Sequence, residues 1–409
     1  MAHDGPEHWH EVTGTTKKAG LGQFKQPAMP YDVFMEEQEI PIHRAVGIRK
    51  VQDLPLKPWK RMGGRGTFIQ LYGTEGLWGC YLVEVPGAGA LNVEKHAYEE
   101  QFLVVEGRGT TEIWTDGGKK HVFEWNSGSL FAIPLNTYHR IINASSSPAL
   151  LLAGTSAPNA MNLFDDNDFV FNCPYRFTKR FDGREDYFKP NDDIVPDAVR
   201  GLAARRSNLI PDIVNCELPL DNRRSLGYRR VEPDMAGQRF WTFVGQHETG
   251  RYSKAHFHGS AAVLICLTGK GYTYTWPTTL GPRPWQDGKG DQVLRVDYEP
   301  IGMVSAAPMS GDWFHQHFGV SKDPLRLIVF VGPNNGLSRK PRVPGAPRKD
   351  IGSIDIHSGG NAIAHDEEDP FIRQEYEATL AKNGAVSRMD PELYIPGNEK
   401  GKLWGSDVF

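Results

Sequence analysis

Two stretches of this chain carry one pattern in the same order. The first reads "HAYEEQFLVVEGRG" and then "GSLFAIPLNTYHRIIN"; the second reads "HFHGSAAVLICLTGKG" and then "GMVSAAPMSGDWFHQHFG". Aligned, His96 meets His258, Gly107 meets Gly269, Gly128 meets Gly302, Pro134 meets Pro308 and His139 meets His315. Matches in one order at a near-constant separation make a duplicated unit the economical reading. Around each copy the sequence breaks into short β-prone runs parted by turns: "TFIQLYG", "WGCYLVEV" and "ALLLAG" in the first, "RFWTFVGQ", "AVLICLTG" and "LRLIVFVG" in the second. Runs at about ten-residue spacing with turn punctuation close on one another as sandwiches or barrels, so an all-β fold is expected.

The texture sets the expected organisation. Residues 1–56 read as an N-terminal arm, 57–160 as a first β domain, 161–225 as an aromatic, proline-punctuated connection, 226–334 as a second β domain, and 335–409 as a tail. The tail holds one convincing helix, "DPFIRQEYEATLAKNG", with Asp369 to cap it, Pro370 in its first turn and Gly384 to stop it.

Composition excludes several classes of function. A net charge of −4 over 409 residues gives no electrostatic case for nucleic acid or an acidic membrane. Cys80, Cys173, Cys216 and Cys266 form no CxxC pair and read as reduced thiols of a cytoplasmic protein. No basic-then-apolar leader opens "MAHDGPEHWHEVTG", and no apolar run approaches the roughly 20 residues that span a bilayer. The expected partners are a small molecule and O2, with no nucleic acid and no membrane.

Chemistry concentrates in the histidines. Side chains at i and i+2 of a strand share a face, so His256 and His258 converge on one side, inside or outside a barrel. A third imidazole from His315 completes a set of neutral nitrogens suited to Fe(II), Mn or Ni, with coordination positions left for substrate and for dioxygen or water. His317 shares the face of His315 and competes for the third place; otherwise it stands beside substrate, as a catalytic group together with Lys254. The first copy offers Glu94, His96, Glu100 and His139 as a possible second metal site, or as a degraded, structural motif. Trp241, Tyr274 and Trp313 could wall a flat substrate, and Arg239 or Arg326 could anchor its anionic group; core packing and solvated charge are the plainer roles.

These residues resemble the bicupins. The cupin pattern is Gly, five residues, His-x-His, three or four residues, Glu, six residues, Gly, and later Gly, five residues, Pro-x-Gly, two residues, His, three residues, Asn. Here Gly250, five residues, His256-x-His258 and Gly269 follow its first half. His96, three residues, Glu100, six residues and Gly107 do so in the other copy, where Gly128, five residues, Pro134, His139 and Asn143 supply the second half. Glu94 stands where a histidine is expected, and Ala262 where the glutamate is. The resemblance implies two double-stranded β-helix (jelly-roll) barrels and a homo-oligomer. The all-histidine second copy, with a Ser/Ala-rich stretch after it and Trp313 before His315-x-His317, resembles the gentisate and hydroxynaphthoate ring-cleaving dioxygenases. That likeness implies Fe(II) on His256, His258 and His315, and a hydroxylated aromatic acid or similar chelating anion as substrate. The alternatives are a redox-neutral metal-dependent cupin (isomerase, lyase or decarboxylase, using Mn, Ni or Zn) and a non-catalytic cupin.

Overall fold

The computed structural model describes residues 28–197, 202–221, 225–258, 262–308, 312–333 and 355–398. The start of the arm, the Ser/Ala-rich stretch at 259–261 and the tail segments 334–354 and 399–409 lie outside the described residues.

The first barrel is built from β1 (Gly79–Val85), β2 (Glu100–Glu106), β3 (Arg108–Trp114), β4 (His121–Asn126), β5 (Leu130–Ile133), β6 (Tyr138–Asn143) and β7 (Ala149–Thr155). Its larger sheet runs β1-β7-β2-β5 and its smaller one β6-β3-β4. The second barrel uses β8 (Phe240–His247), β9 (Val263–Thr268), β10 (Gly271–Pro277), β11 (Leu294–Tyr298), β12 (Met303–Ser305), β13 (Trp313–Gly319) and β14 (Leu325–Pro333). There the order is β8-β14-β9-β12 facing β13-β10-β11, strand for strand the order of the first. The matched glycines mark why the pattern repeats. Gly107 (φ +93°) and Gly269 (φ +80°) each turn the chain from one sheet to the other through a left-handed conformation that a side chain disfavours.

The strands are largely buried on both faces because the barrels cover one another. On β9, Val263, Ile265 and Leu267 join the core shared with the first barrel, while Leu264 and Cys266 face the interior of the second with Val304, Leu327 and Val329. Phe240 packs edge-on against Trp78 of the first half at 5.7 Å and against Phe330 at 5.6 Å. Glu99 clasps the same junction: its carboxylate accepts from the backbone N–H groups of Arg239 and Phe240, both at 2.7 Å, and from Arg180 at 2.8 Å.

Segments outside the barrels are woven into them. In the arm, Ile42–Ala45 pairs parallel with strand Gly64–Leu71 of the first large sheet, and Gly47–Ile48 pairs with β12 of the second. In the tail, helix Pro370–Lys382 starts on Asp369, which accepts from Phe371 N–H, and gives way to Gly384 (φ +69°), as its sequence signals predict. Ile372, Tyr376 and Leu380, one helical face, are fully buried against the outer face of the second small sheet, where Tyr376 meets Tyr252 and Phe318. Among the described residues no helix is long and apolar enough to cross a membrane.

Candidate metal centres

His256 and His315 sit opposite each other in an antiparallel bridge, and His258 follows on the same face. Alternation puts Phe257 and Phe314 on the outside, stacked edge-on at 5.3 Å, so the histidines turn inward. Ring centroids lie 4.3 Å apart for His256 and His315, and 4.7 Å for His258 and His315. One nitrogen from each ring falls within 4.8 Å of the others. His256 and His315 are buried, whereas His258 is half-buried and opens the centre on one side.

The donor set fits a divalent ion. His256 Nδ1 faces the carbonyl of Lys254 at 3.2 Å, and His315 Nδ1 faces that of Trp313 at 3.3 Å. A carbonyl only accepts, so each Nδ1 carries the proton and each Nε2 its lone pair. Those two Nε2 atoms stand 3.2 Å apart. In neutral imidazoles the two lone pairs repel one another, and a cation between them removes the conflict. Two nitrogens at about 2.1 Å from one ion are about 3.0–3.4 Å apart for angles from square to tetrahedral, which brackets the observed spacing.

The other expected residues divide by place. His317 is inward on β13, its Nδ1 at 2.7 Å from Thr273 Oγ1. Thr273 donates to Tyr298 Oη, which donates to the Tyr272 carbonyl. This one-way chain makes the His317 Nδ1–H the donor to Thr273, leaving the Nε2 as the basic nitrogen. Trp313 shares that face and is half-buried. Trp241 lies across the barrel on β8. Lys254 is buried beside the histidines. Tyr274 points outward instead and packs on Trp285 under the tail. Arg326 also faces away from the interior, its guanidinium donating to the carbonyls of Ile213, Val214 and Cys216. Arg239 is exposed, and its backbone N–H donates to Glu99. Alternation explains Tyr274 and Arg326, because a strand that turns a neighbour inward turns these residues out, whereas Arg239 lies in the bend just before β8.

The first barrel builds a different centre at the equivalent place. Glu94 bridges His139 as His256 bridges His315. Its carboxylate, however, goes to Arg61, whose guanidinium also covers Phe171 at 3.8 Å. Burial lifts the Glu94 carboxyl above its ordinary range, against the pull of Arg61 and His96. The cluster that remains is His96, Glu100 and His139, all buried. His96 Nδ1 faces the Tyr98 carbonyl at 3.0 Å, with the Tyr98 ring stacked on it at 3.7 Å, and its Nε2 lies 3.3 Å from Glu100. Burial opposes the Glu100 carboxylate, yet His96, His139 and the Tyr81 hydroxyl at 2.7 Å together hold its pKa below the ordinary value. Burial, and next the charge of His96, push His139 down to about 3.

Arg230, Glu232, Arg61 and Glu368 carry much of the polar structure around these centres and were not singled out in the sequence. The one available signal was alternation in "YRRVEPD", which puts Arg230 and Glu232 on one face. Two open surface clefts, of about 400 and 170 Å3, lie on the first half near Lys119 and Arg180, and neither includes a residue of either triad.

Comparison with known proteins bears on the first barrel. Residues 81–154 match the family model described as "Cupin domain". No curated protein sequence matches the chain. Among solved structures, a mutant of oxalate decarboxylase from Bacillus subtilis is 12% identical, covering 69% of this chain and 76% of its own at a TM-score of 0.43. The formate complex of Lactobacillus farciminis oxalate decarboxylase is 11% identical, covering 69% and 85%, also at 0.43. The first barrel of this chain therefore carries a cupin domain, and the second repeats that barrel's strand order around a centre of three histidines.

Proposed function

We propose that the protein is a metal-dependent enzyme, working in its C-terminal barrel on an anionic substrate that chelates through oxygen, by a reaction that needs no external oxidant: a lyase, isomerase or decarboxylase. The observation that carries the reading is the pair of inward Nε2 lone pairs 3.2 Å apart on His256 and His315, beside a half-buried His258. A divalent ion held by these three histidines supplies Lewis-acid polarisation and positive charge at the substrate oxygens. The surrounding residues do the rest. His317, oriented by Thr273, takes or returns a proton at Nε2. Glu232, fully buried on the face of the large sheet turned toward the histidines, adds the carboxylate that redox-neutral chemistry calls for and that the motif position of Ala262 lacks. The sealed triad of the first barrel, with no half-exposed ligand, suits a structural ion.

A second reading rests on the donor set. Three neutral imidazoles leave an ion its full charge, which suits Fe(II), a hydroxylated aromatic acid and O2, the dioxygenase chemistry expected from the motif. Protein purified without oxygen and loaded separately with Mn(II), Fe(II), Ni(II) and Zn(II) separates the two. Turnover of hydroxy- or oxo-acids under argon supports the first reading. Oxygen consumption confined to the Fe(II) form supports the second. Failure to bind any of the ions sinks both.

A further inference from the structure

The strand Arg229–Asp234 flanks β8 in the large sheet of the second barrel. Val231 joins the core toward the first barrel, so its neighbours Arg230 and Glu232 face the other way, with Phe243 and Trp241. The Arg230 guanidinium covers Phe243 at 3.8 Å, lies 5.8 Å from the Trp241 ring centre, and donates through Nη2 to Glu232 at 2.9 Å. Arg230 is only 8% exposed, yet among the described residues its Nε–H has no acceptor, and neither does the buried indole N–H of Trp241 beside it. Two adjacent buried donors left without acceptors cost free energy, which an ordered water, an ion or a ligand between them would recover.

Register places Trp241 level with the metal centre, and Arg230, paired with Gly245 further along β8, reaches back toward it through its guanidinium. Thr242 is paired with Phe330, Phe330 with Val263 and Val263 with Ser305, so Trp241 shares the next row with Ala262 and Ala306. The Ala306 carbonyl accepts from Thr275, the strand partner of His315. The chain from β8 then runs through Tyr252 and His256, which bridge β13, closing the wall between the two. Trp241 therefore borders the space that the histidines face, with the Arg230 guanidinium beside its ring.

We infer that Arg230 Nε and Trp241 Nε1 together bind the carboxylate of the substrate. The group must be acceptor-only, because both partners donate, and small and planar, because Phe243 is already covered by the guanidinium. Glu232 neutralises most of the Arg230 charge, so the anion is balanced by the ion on the histidines. In this respect the assignment rests on the proposed function.

The test follows the indole N–H resonance of Trp241 in the full chain labelled with 15N-tryptophan, assigned by its disappearance in Trp241→Phe. Benzoate, formate and inorganic phosphate are titrated into metal-free and Zn(II)-loaded protein. The carboxylates shift that resonance to lower field; Arg230→Gln weakens the binding about 10- to 100-fold and Trp241→Phe, followed by calorimetry, about 3- to 10-fold. Arg230→Lys keeps the charge for Glu232 should the glutamine variant not fold, and loses affinity through the missing Nε–H. No shift with either carboxylate in both forms of folded protein overturns the inference, as does a response to phosphate alone. A shift that persists when no metal binds keeps the carboxylate site and refutes only the metal reading.

Discussion

Glu368 ties the tail to the strand that carries His315, and its removal tests whether the tail is part of the site's frame. The side chain is 2% exposed. It accepts from Tyr252 Oη, from Gln316 Nε2 at 3.1 Å and from His365 Nδ1 at 3.2 Å. Gln316 sits between His315 and His317 on the outward face, and its amide also donates to the Ser253 carbonyl at 3.0 Å, behind His256. Breaking a buried charged hub costs about 3–5 kcal/mol. Tyr252 keeps Tyr394 at 2.8 Å and Gln316 keeps Ser253, so the lower end applies. Glu368→Ala is therefore expected to lose about 3 kcal/mol and to lower the melting transition by several degrees, since 1 kcal/mol is at most about 2–4 °C for a cooperative unit of more than about 150 residues. Because the same hub holds the backbone on both sides of the triad, metal affinity falls about tenfold as well. Glu368→Gln retains one acceptor and loses less of both. Calorimetry and metal titration on the three proteins supply the readings. An alanine variant melting within a degree of the parent, with unchanged affinity, refutes the reasoning.

Three further outcomes follow from named contacts. Glu99→Ala strips the acceptor from the backbone N–H groups of Arg239 and Phe240 and from Arg180, costs about 2–4 kcal/mol, and splits the calorimetric transition into separate barrel transitions; one unchanged peak counts against the clasp. In metal-free protein the first barrel weakens as pH falls. His139 stays neutral when folded, with a pKa near 3 against an ordinary 6.5, so the unfolded chain binds the extra proton and stability is lost between about 6.5 and 3. The depressed Glu100 adds loss of the same sign below the carboxylate range. Melts of the parent and His139→Asn across that window check this, the variant giving the flatter profile. Arg326→Met unfastens residues 213–216 from β14 and costs about 2–3 kcal/mol, but leaves metal content unchanged because the side chain faces away from the histidines. Lost metal would contradict that placement.

What the sequence disclosed depended on local rules. Gly107 and Gly269 marked equivalent turns, and the alternation in "HFH" placed His256 and His258 on one face, because both are properties of neighbouring residues. The helix ends at Asp369 and Gly384 were legible for the same reason. Inward or outward was not local. Tyr274 and Trp276 look as suitable as Trp241 for lining a pocket, but which parity faces in is set by the partner sheet, and the tail covers the outer face. Glu94 stands at a ligand position, yet Arg61 in a distant segment takes its carboxylate. Arg230 carries no pattern in the pair Arg229–Arg230 until the aromatic rings beside it are known.

The central claim is one ion on three imidazoles of the second barrel. Metal content per chain, measured on protein purified without oxygen, tests it most directly when the parent is compared with His256→Ala and His315→Ala. Each variant, folded by circular dichroism, is expected to hold one ion fewer than the parent. The same metal content in all three would contradict it.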